Sequence, residues 1–272
     1  LAGIASTLLA AGLISVGSAS ASAFTVSDPC QSSLVLIAVR GTDALPGNTP
    51  VWNTFVNGTG GVNRVGGYGS ELLELRNDIV ANLHDFPVFA GSLNYPATAN
   101  AGVGYITSMQ AGRDYLVSFL NKLTTTCPVI PMVVLIGHSQ GADVIANALS
   151  SSALNSLAKG QVKAAVMFGD PYFSGNKNYV APGSPTNVGG VLGARGSILE
   201  AALESQYQTF GWSNDIGDFT MLNRIRSYCI AGDWACAGAV RSTASEAIHN
   251  SYKTVKRAAA FQWVIDRITD YN

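Results

Sequence analysis

Apolar residues fall into short dense runs separated by longer stretches of helical spacing. Ser33 to Val39 (SLVLIAV) is a continuous apolar run that ends at Arg40-Gly41-Thr42-Asp43, which predicts a buried strand running into a tight turn. Pro87 to Tyr95 predicts a second strand, Met132 to Ile136 (MVVLI) a third, Ala164 to Phe168 (AAVMF) a fourth and Arg224 to Ile230 a fifth. Between them the spacing turns helical. Tyr68 to Leu83 carries Leu72, Leu73, Leu75, Ile79, Val80 and Leu83, and Ala101 to Leu123 places Ile106, Met109, Leu116 and Leu120 inward. A helix begins at Ala142, and Ala244 to Ile265 is largely helical. Strands alternating with helices predict a parallel sheet covered on both faces.

One stretch breaks this rhythm. Residues from Pro171 to about Phe219 are rich in Gly, Asn and Ser, with one helical piece, Ile198 to Tyr207, and the aromatics Tyr172, Phe173, Tyr179, Phe210 and Trp212. A stretch this long inside one domain is either functional or a subdomain, and it is too short to fold alone. The N-terminus is apolar and small from Leu1 to Val16, and Ala21-Ser22-Ala23 is a small-x-small cleavage signal. Residues 1–23 are therefore expected to be a signal peptide that begins inside its own signal, followed by a single domain over 24–272 with its insert at about 171–219. No later run is long and apolar enough to span a bilayer.

Composition narrows the chemistry. Charged residues make up 12% of the 272, and the formal net charge is −1, so there is no basic stripe for nucleic acid. The four cysteines, Cys30, Cys127, Cys229 and Cys236, all follow the expected cleavage point. An even count in that setting implies disulfides in a secreted, extracellular protein. Neither a C-x-x-C nor a histidine cluster supports a metal site.

Gly137-His138-Ser139-Gln140-Gly141 is a G-x-S-x-G preceded by the strand MVVLI and followed by the helical ADVIANAL. That strand–turn–helix is what a nucleophile elbow requires, so Ser139 is the expected nucleophile. Its base must be His84, His138 or His249. His138 lies inside the elbow and should point away from Ser139, and His84 lies upstream at a helix end, which leaves His249. The acid must lie between Ser139 and His249, where Asp143, Asp170, Asp215, Asp218 and Asp233 stand. Asp233, held in the small loop Cys229-Ile230-Ala231-Gly232-Asp233-Trp234-Ala235-Cys236, is preferred to Asp170 at the end of the fourth strand.

At these residues the chain resembles the cutinase family of small secreted esterases. The resemblance rests on Arg40-Gly41-Thr42, Asn94-Tyr95-Pro96-Ala97, Cys127-Pro128, Gly137-His138-Ser139-Gln140-Gly141-Ala142 and the cysteine-bracketed Asp233 followed by His249. It implies a three-layer α/β-hydrolase whose central, mostly parallel five-stranded sheet has helices on both faces. It also implies a Ser139–His249–Asp233 triad, an oxyanion hole from Thr42 and the backbone N–H of Gln140, and no cofactor or metal. The expected pairing of the cysteines is Cys30–Cys127 and Cys229–Cys236. The expected partner is an ester, lipid or polyester substrate, met by a monomer that touches a lipid or polymer surface only transiently. Fatty-acyl, hydroxy-fatty-acyl and cutin-like esters lead. Mycolyl cell-envelope esters and acetylated xylan are the alternatives, because the insert resembles the linker of phage mycolyl-arabinogalactan esterases. A non-catalytic binding protein on the same fold is a remote alternative.

Overall fold

The computed structural model describes residues 25–47, 61–83, 86–99, 103–213 and 218–269. The expected signal segment therefore lies outside the described residues. All five predicted strands form, as β1 (Leu34–Val39), β3 (Val88–Asn94), β4 (Met132–His138), β5 (Val162–Phe168) and β8 (Ile225–Tyr228). They pair in parallel in the order β3-β1-β4-β5-β8. The sheet has six strands rather than the expected five, because β2 (Gly61–Asn63) adds to β3 antiparallel. Three residues are too few for a periodic signal. Backbone pairing places this strand, and Gly91 makes room for it, since a Cβ there would stand 2.4 Å from Val62 Cγ1.

Every side chain of β1 is buried, and alternate ones enter different layers. Val35, Ile37 and Val39 pack with α2 (Val103–Thr126) and α3 (Gln140–Leu149) through Leu116, Leu120, Ile145 and Leu149. Leu34, Leu36 and Ala38 pack on the other face with α1 (Ser70–Asn82) and α8 (Arg257–Thr269), through Leu72, Leu75, Ile79, Val264 and Ile268. This two-sided burial is why the strands read as unbroken apolar runs. Leu116 and Leu120 face inward as expected, and Met109 is half-buried. Ile106, however, is 51% exposed, while Ser108 two residues on is buried and donates to Gln140 Oε1.

The C-terminal helical stretch is three helices: α6 (Thr243–His249), α7 (Tyr252–Val255) and α8. A capping box between Ser242 and Ser245 starts α6, and the chain turns at Asn250-Ser251. The insert holds α5 (Ser197–Ser205) and β6 (Gln208–Ser213), and the hairpin that β6 forms with β7 (Asp218–Asn223) runs past its expected end; α4 (Ser156–Gln161) precedes β5. The insert also shields the outer edge of the sheet, where the N–H of Ala181 bonds Ser227 O and the N–H of Ser227 bonds Tyr179 O.

Two disulfides form, Cys30–Cys127 and Cys229–Cys236, as expected. The first closes 97 residues and ties the segment before β1 to the end of α2. Replacing Cys30 and Cys127 together by serine should lower stability by up to about 4–5 kcal/mol on the chain-entropy account. The measurement is a denaturation midpoint, and ester turnover per folded molecule at low temperature should be unchanged.

Candidate active site

Parallel pairing puts the carboxyl ends of β1, β3, β4, β5 and β8 on one edge of the sheet, the edge where open α/β sheets carry their sites. Three non-glycine residues with positive φ among the described residues stand there: Asp43 after β1, Ala97 after β3 and Ser139 after β4. Such conformations persist only where the surroundings impose them. Ser139 has φ 55° and ψ −122° and begins α3, with its N–H bonded to Phe168 O at 2.8 Å. The turn works because both flanking glycines are bare. A Cβ on Gly141 would lie 1.9 Å from Val39 O, and one on Gly137 would lie 2.7 Å from Gly141 O.

The preferred base and acid meet. His249, the last residue of α6, brings Nδ1 to 2.9 and 3.0 Å from the two carboxylate oxygens of Asp233. A carboxylate only accepts, so Nδ1 carries the proton and Nε2 is the basic nitrogen. Nε2 has no hydrogen-bond partner among the described residues, and His249 and Ser139 line the same cleft of about 890 Å³. Asp233 is fully buried. Burial alone would raise its pKa, but the hydrogen bonds from His249, Tyr252 and the N–H of Ala235 hold it below the usual carboxylate range.

His138 does more than point away. Its buried Nε2 lies 2.9 Å from His249 O, and the two ring centroids are 4.7 Å apart. A carbonyl only accepts, so His138 donates from Nε2. Burial, helped by His249, lowers its pKa to about 3, so it stays neutral while holding the backbone of His249. Gly169, with φ 61°, gives the His249 ring its seat, because a Cβ there would lie 2.8 Å from Cε1. His84 lies outside the described residues.

Thr42 also lines the cleft. Its turn is held by Arg40, which donates to Ala44 O at 2.9 Å, Leu93 O at 3.0 Å and Tyr95 O, while Tyr95 Oη donates to Arg40 O at 2.6 Å. This clasp joins the RGT turn to the NYPA segment, and the N–H of Asp43 adds a bond to Ala97 O at 2.7 Å. Gln140 supplies the first N–H of α3. Its side chain is buried elsewhere, bonded to Ser108 and Thr98.

The rival acids are occupied by the insert. Arg195 Nη2 donates to Asp170 Oδ2 at 2.9 Å and Asp143 Oδ1 at 3.2 Å, with all three side chains buried. Tyr105 and Asn147 also donate to Asp143. Of the remaining aspartates considered, Asp218 opens the hairpin strand β7 and Asp215 lies outside the described residues. Arg195 could not be assigned from sequence, because nothing local to it marks its distant partners. Burial pushes the Asp143 carboxyl up to about 7, with Arg195 opposing and Asp170 adding to the rise. Arg195→Met would strand both carboxylates, at a cost of about 3–5 kcal/mol. Asp143, raised by burial and relieved of the opposing guanidinium, would bind its proton more readily folded than unfolded. Stability of the variant should therefore fall as pH rises from about 4 to about 7, more steeply than in the parent. Urea denaturation at pH 5 and pH 7.5 measures this.

Acetylxylan esterase 2 of Talaromyces purpureogenus is 31% identical over 106 residues, covering 33% of this chain and 45% of that protein. Cutinase 11 of Verticillium dahliae is 26% identical over 196 residues, covering 66% and 57%. The chain thus spans about half the length of these two relatives. The catalytic core domain of acetyl xylan esterase from Trichoderma reesei superposes with a TM-score of 0.62 at 21% identity, over 87% of this chain and 99% of that one. That likeness concerns the fold, a cutinase-like α/β-hydrolase. The cutinase family model matches residues 54–268, most of the length, and by that match the chain belongs to the cutinase family.

Proposed function

We propose that the protein is a secreted serine hydrolase of carboxylic esters, with Ser139 as nucleophile, His249 as base and Asp233 as the acid that orients it. The observation that carries this reading is the His249–Asp233 pair, which leaves Nε2 basic in the cleft that Ser139 lines. Ser139 Oγ attacks the ester carbonyl while His249 Nε2 takes its proton and hands it to the departing alcohol. Water, activated by the same nitrogen, then releases the acid. The oxyanion is met by the N–H of Gln140, beside the positive end of α3, and by Thr42. These steps require no cofactor. Two disulfides suit an oxidising compartment, and no helix among the described residues is long and apolar enough to cross a membrane.

Ser139→Ala should fold normally and lose ester turnover by a thousandfold or more. Labelling by a fluorophosphonate checks the same point from the other side. An unlabelled Ser139 in the parent protein would return the chain to the reading of a binding protein on a hydrolase fold.

The substrate class follows the walls of the cleft. Pro171, Val191 and Leu192, all supplied by the insert, give an apolar ledge that suits the fatty-acyl and hydroxy-fatty-acyl esters of a cutin-like polymer. A second reading has its own observation. Arg241, Glu246, Lys253 and Glu71 line the same cleft as two ion pairs, Arg241–Glu246 at 2.7 Å and Lys253–Glu71 at 3.3 Å. A wholly aliphatic substrate would strip water from these charges, whereas a polyhydroxylated alcohol would replace it with hydroxyls. That favours an acyl group carried on a sugar or other polyol, the class that includes acetylated xylan and cell-envelope esters. If so, Lys253→Met and Arg241→Met should each raise KM for a glycerol or sugar ester roughly tenfold. KM for the methyl ester of the same acid should stay within about twofold, which paired kinetics on matched esters will measure.

A further inference from the structure

Tyr252 is fully buried three residues beyond His249, on the far side of the turn that separates α6 from α7. Its Oη lies 2.6 Å from Asp233 Oδ2, 3.2 Å from the N–H of Ile230 and 3.3 Å from Cys236 Sγ. The directions are fixed by chemistry. Ile230 N–H can only donate, the carboxylate can only accept, and a disulfide sulfur has no proton to give. The phenol proton therefore points at Asp233. The ring packs against Phe168 at 5.2 Å and His138 at 5.8 Å, which a phenylalanine would do equally well. What the hydroxyl adds is directed at the acid.

We propose that Tyr252 is a positioning residue for the acid of this site, clamping the Asp233 carboxylate so that His249 is held in one tautomer and one orientation. The inference rests on the ester-hydrolase reading above. Each carboxylate oxygen faces His249 Nδ1 and is anchored again by the protein. For Oδ1 the anchor is the N–H of Ala235 at 2.7 Å, with Cys236 N–H at 3.4 Å, and for Oδ2 it is Tyr252. The Ala235 anchor belongs to the acid's own disulfide loop. Tyr252 belongs to the chain that carries the base, so it registers the two segments against each other. Without its hydroxyl, Oδ2 keeps only the imidazole, and the carboxylate is free to swing about Cβ–Cγ.

The electrostatic consequence has a sign. The titratable groups facing the phenol are Asp233 from the acid loop, His249 at the end of α6, His138 from β4 and Glu71 from α1. A hydrogen bond donated to Asp233 spreads its negative charge. Removing that bond concentrates the negative charge on the carboxylate beside the Nδ1–H of the ring. The acid limb of the kcat/KM profile should consequently move to higher pH when the hydroxyl is removed.

The test is Tyr252→Phe assayed on a short activated ester. Expected are a fall in kcat of about tenfold with KM within about twofold, and an acid limb raised by about half a pH unit. Placing 3-fluorotyrosine at position 252 keeps the hydroxyl and makes it a stronger donor, so it should move the limb to lower pH. This second protein keeps the proposal testable even if Tyr252→Phe folds poorly. A reduced kcat with an unmoved limb in both proteins would make Tyr252 scaffold only, and unchanged kinetics would overturn the proposal outright. Fluorophosphonate labelling of the parent protein separates the two readings. If Ser139 labels and Tyr252→Phe is indistinguishable from the parent, this inference alone fails; if Ser139 does not label, the hydrolase reading fails first.

Discussion

A carboxylate with no contact with water has to be given donors by the protein, and the surroundings of Asp233 follow from that need. Four groups supply them: His249 Nδ1, Tyr252 Oη and the N–H groups of Ala235 and Cys236. Each comes with a structural commitment. The two N–H groups require the tight loop that the Cys229–Cys236 bridge closes. The imidazole and the phenol require α6 to stop at His249 and the chain to turn before Tyr252. His138, at the end of β4, then fixes the turn by holding His249 O. The acid thus organises three separate stretches of chain around one charge.

A second buried charge cluster does comparable work at the first turn of α3. Asp143 lies in the first turn of α3, Asp170 directly after β5, and Arg195 reaches both from the insert. The backbone adds its own ties: the N–H of Val191 bonds Ala235 O at 2.7 Å, and the N–H of Leu192 bonds Pro171 O at 3.0 Å. The apolar ledge of the cleft is therefore fastened both to the strand end beside Ser139 and to the acid loop. The insert is part of the wall of the site, which gives substrate preference a physical route into the 171–219 stretch.

Close backbone approach is the third element. Gly141 sits where a methyl group would collide with Val39 O, and Gly169 sits where one would collide with His249. The first lets α3 start hard against the end of β1, which brings Thr42 and the N–H of Gln140 to the same edge. The second lets His249 settle over the end of β5. The Arg40–Tyr95 clasp performs the same task with side chains, because a buried guanidinium needs carbonyl acceptors, and the end of β3 and Ala44 in the turn after β1 provide them.

The sequence by itself determined the five parallel strands, the helices between them and the strand–turn–helix at Ser139, and it singled out His249 and Asp233 as the pair to look for. These are local signals: apolar runs buried on both faces, helical periodicity, glycines flanking a serine, and a pair of cysteines around an acid. What it did not determine depends on pairing between distant residues. Strand β2 is three residues long and is set by hydrogen bonds to β3. The hairpin β6–β7 is hidden in a Gly- and Ser-rich stretch, and its register is fixed by cross-strand pairing. The break at Asn250-Ser251 interrupts a helical pattern that composition alone would continue. His138, Tyr252, Gly169 and Arg195 act through atoms that fold in from 16 to 111 positions away, so no short window of sequence contains both halves of the contact. Asp170 and Asp233 both sit past the end of a strand, and the cysteine bracket alone made Asp233 the preferred acid. The tertiary structure adds the donors, because a buried carboxylate is defined by them, and those are Arg195 for Asp170 and His249 for Asp233.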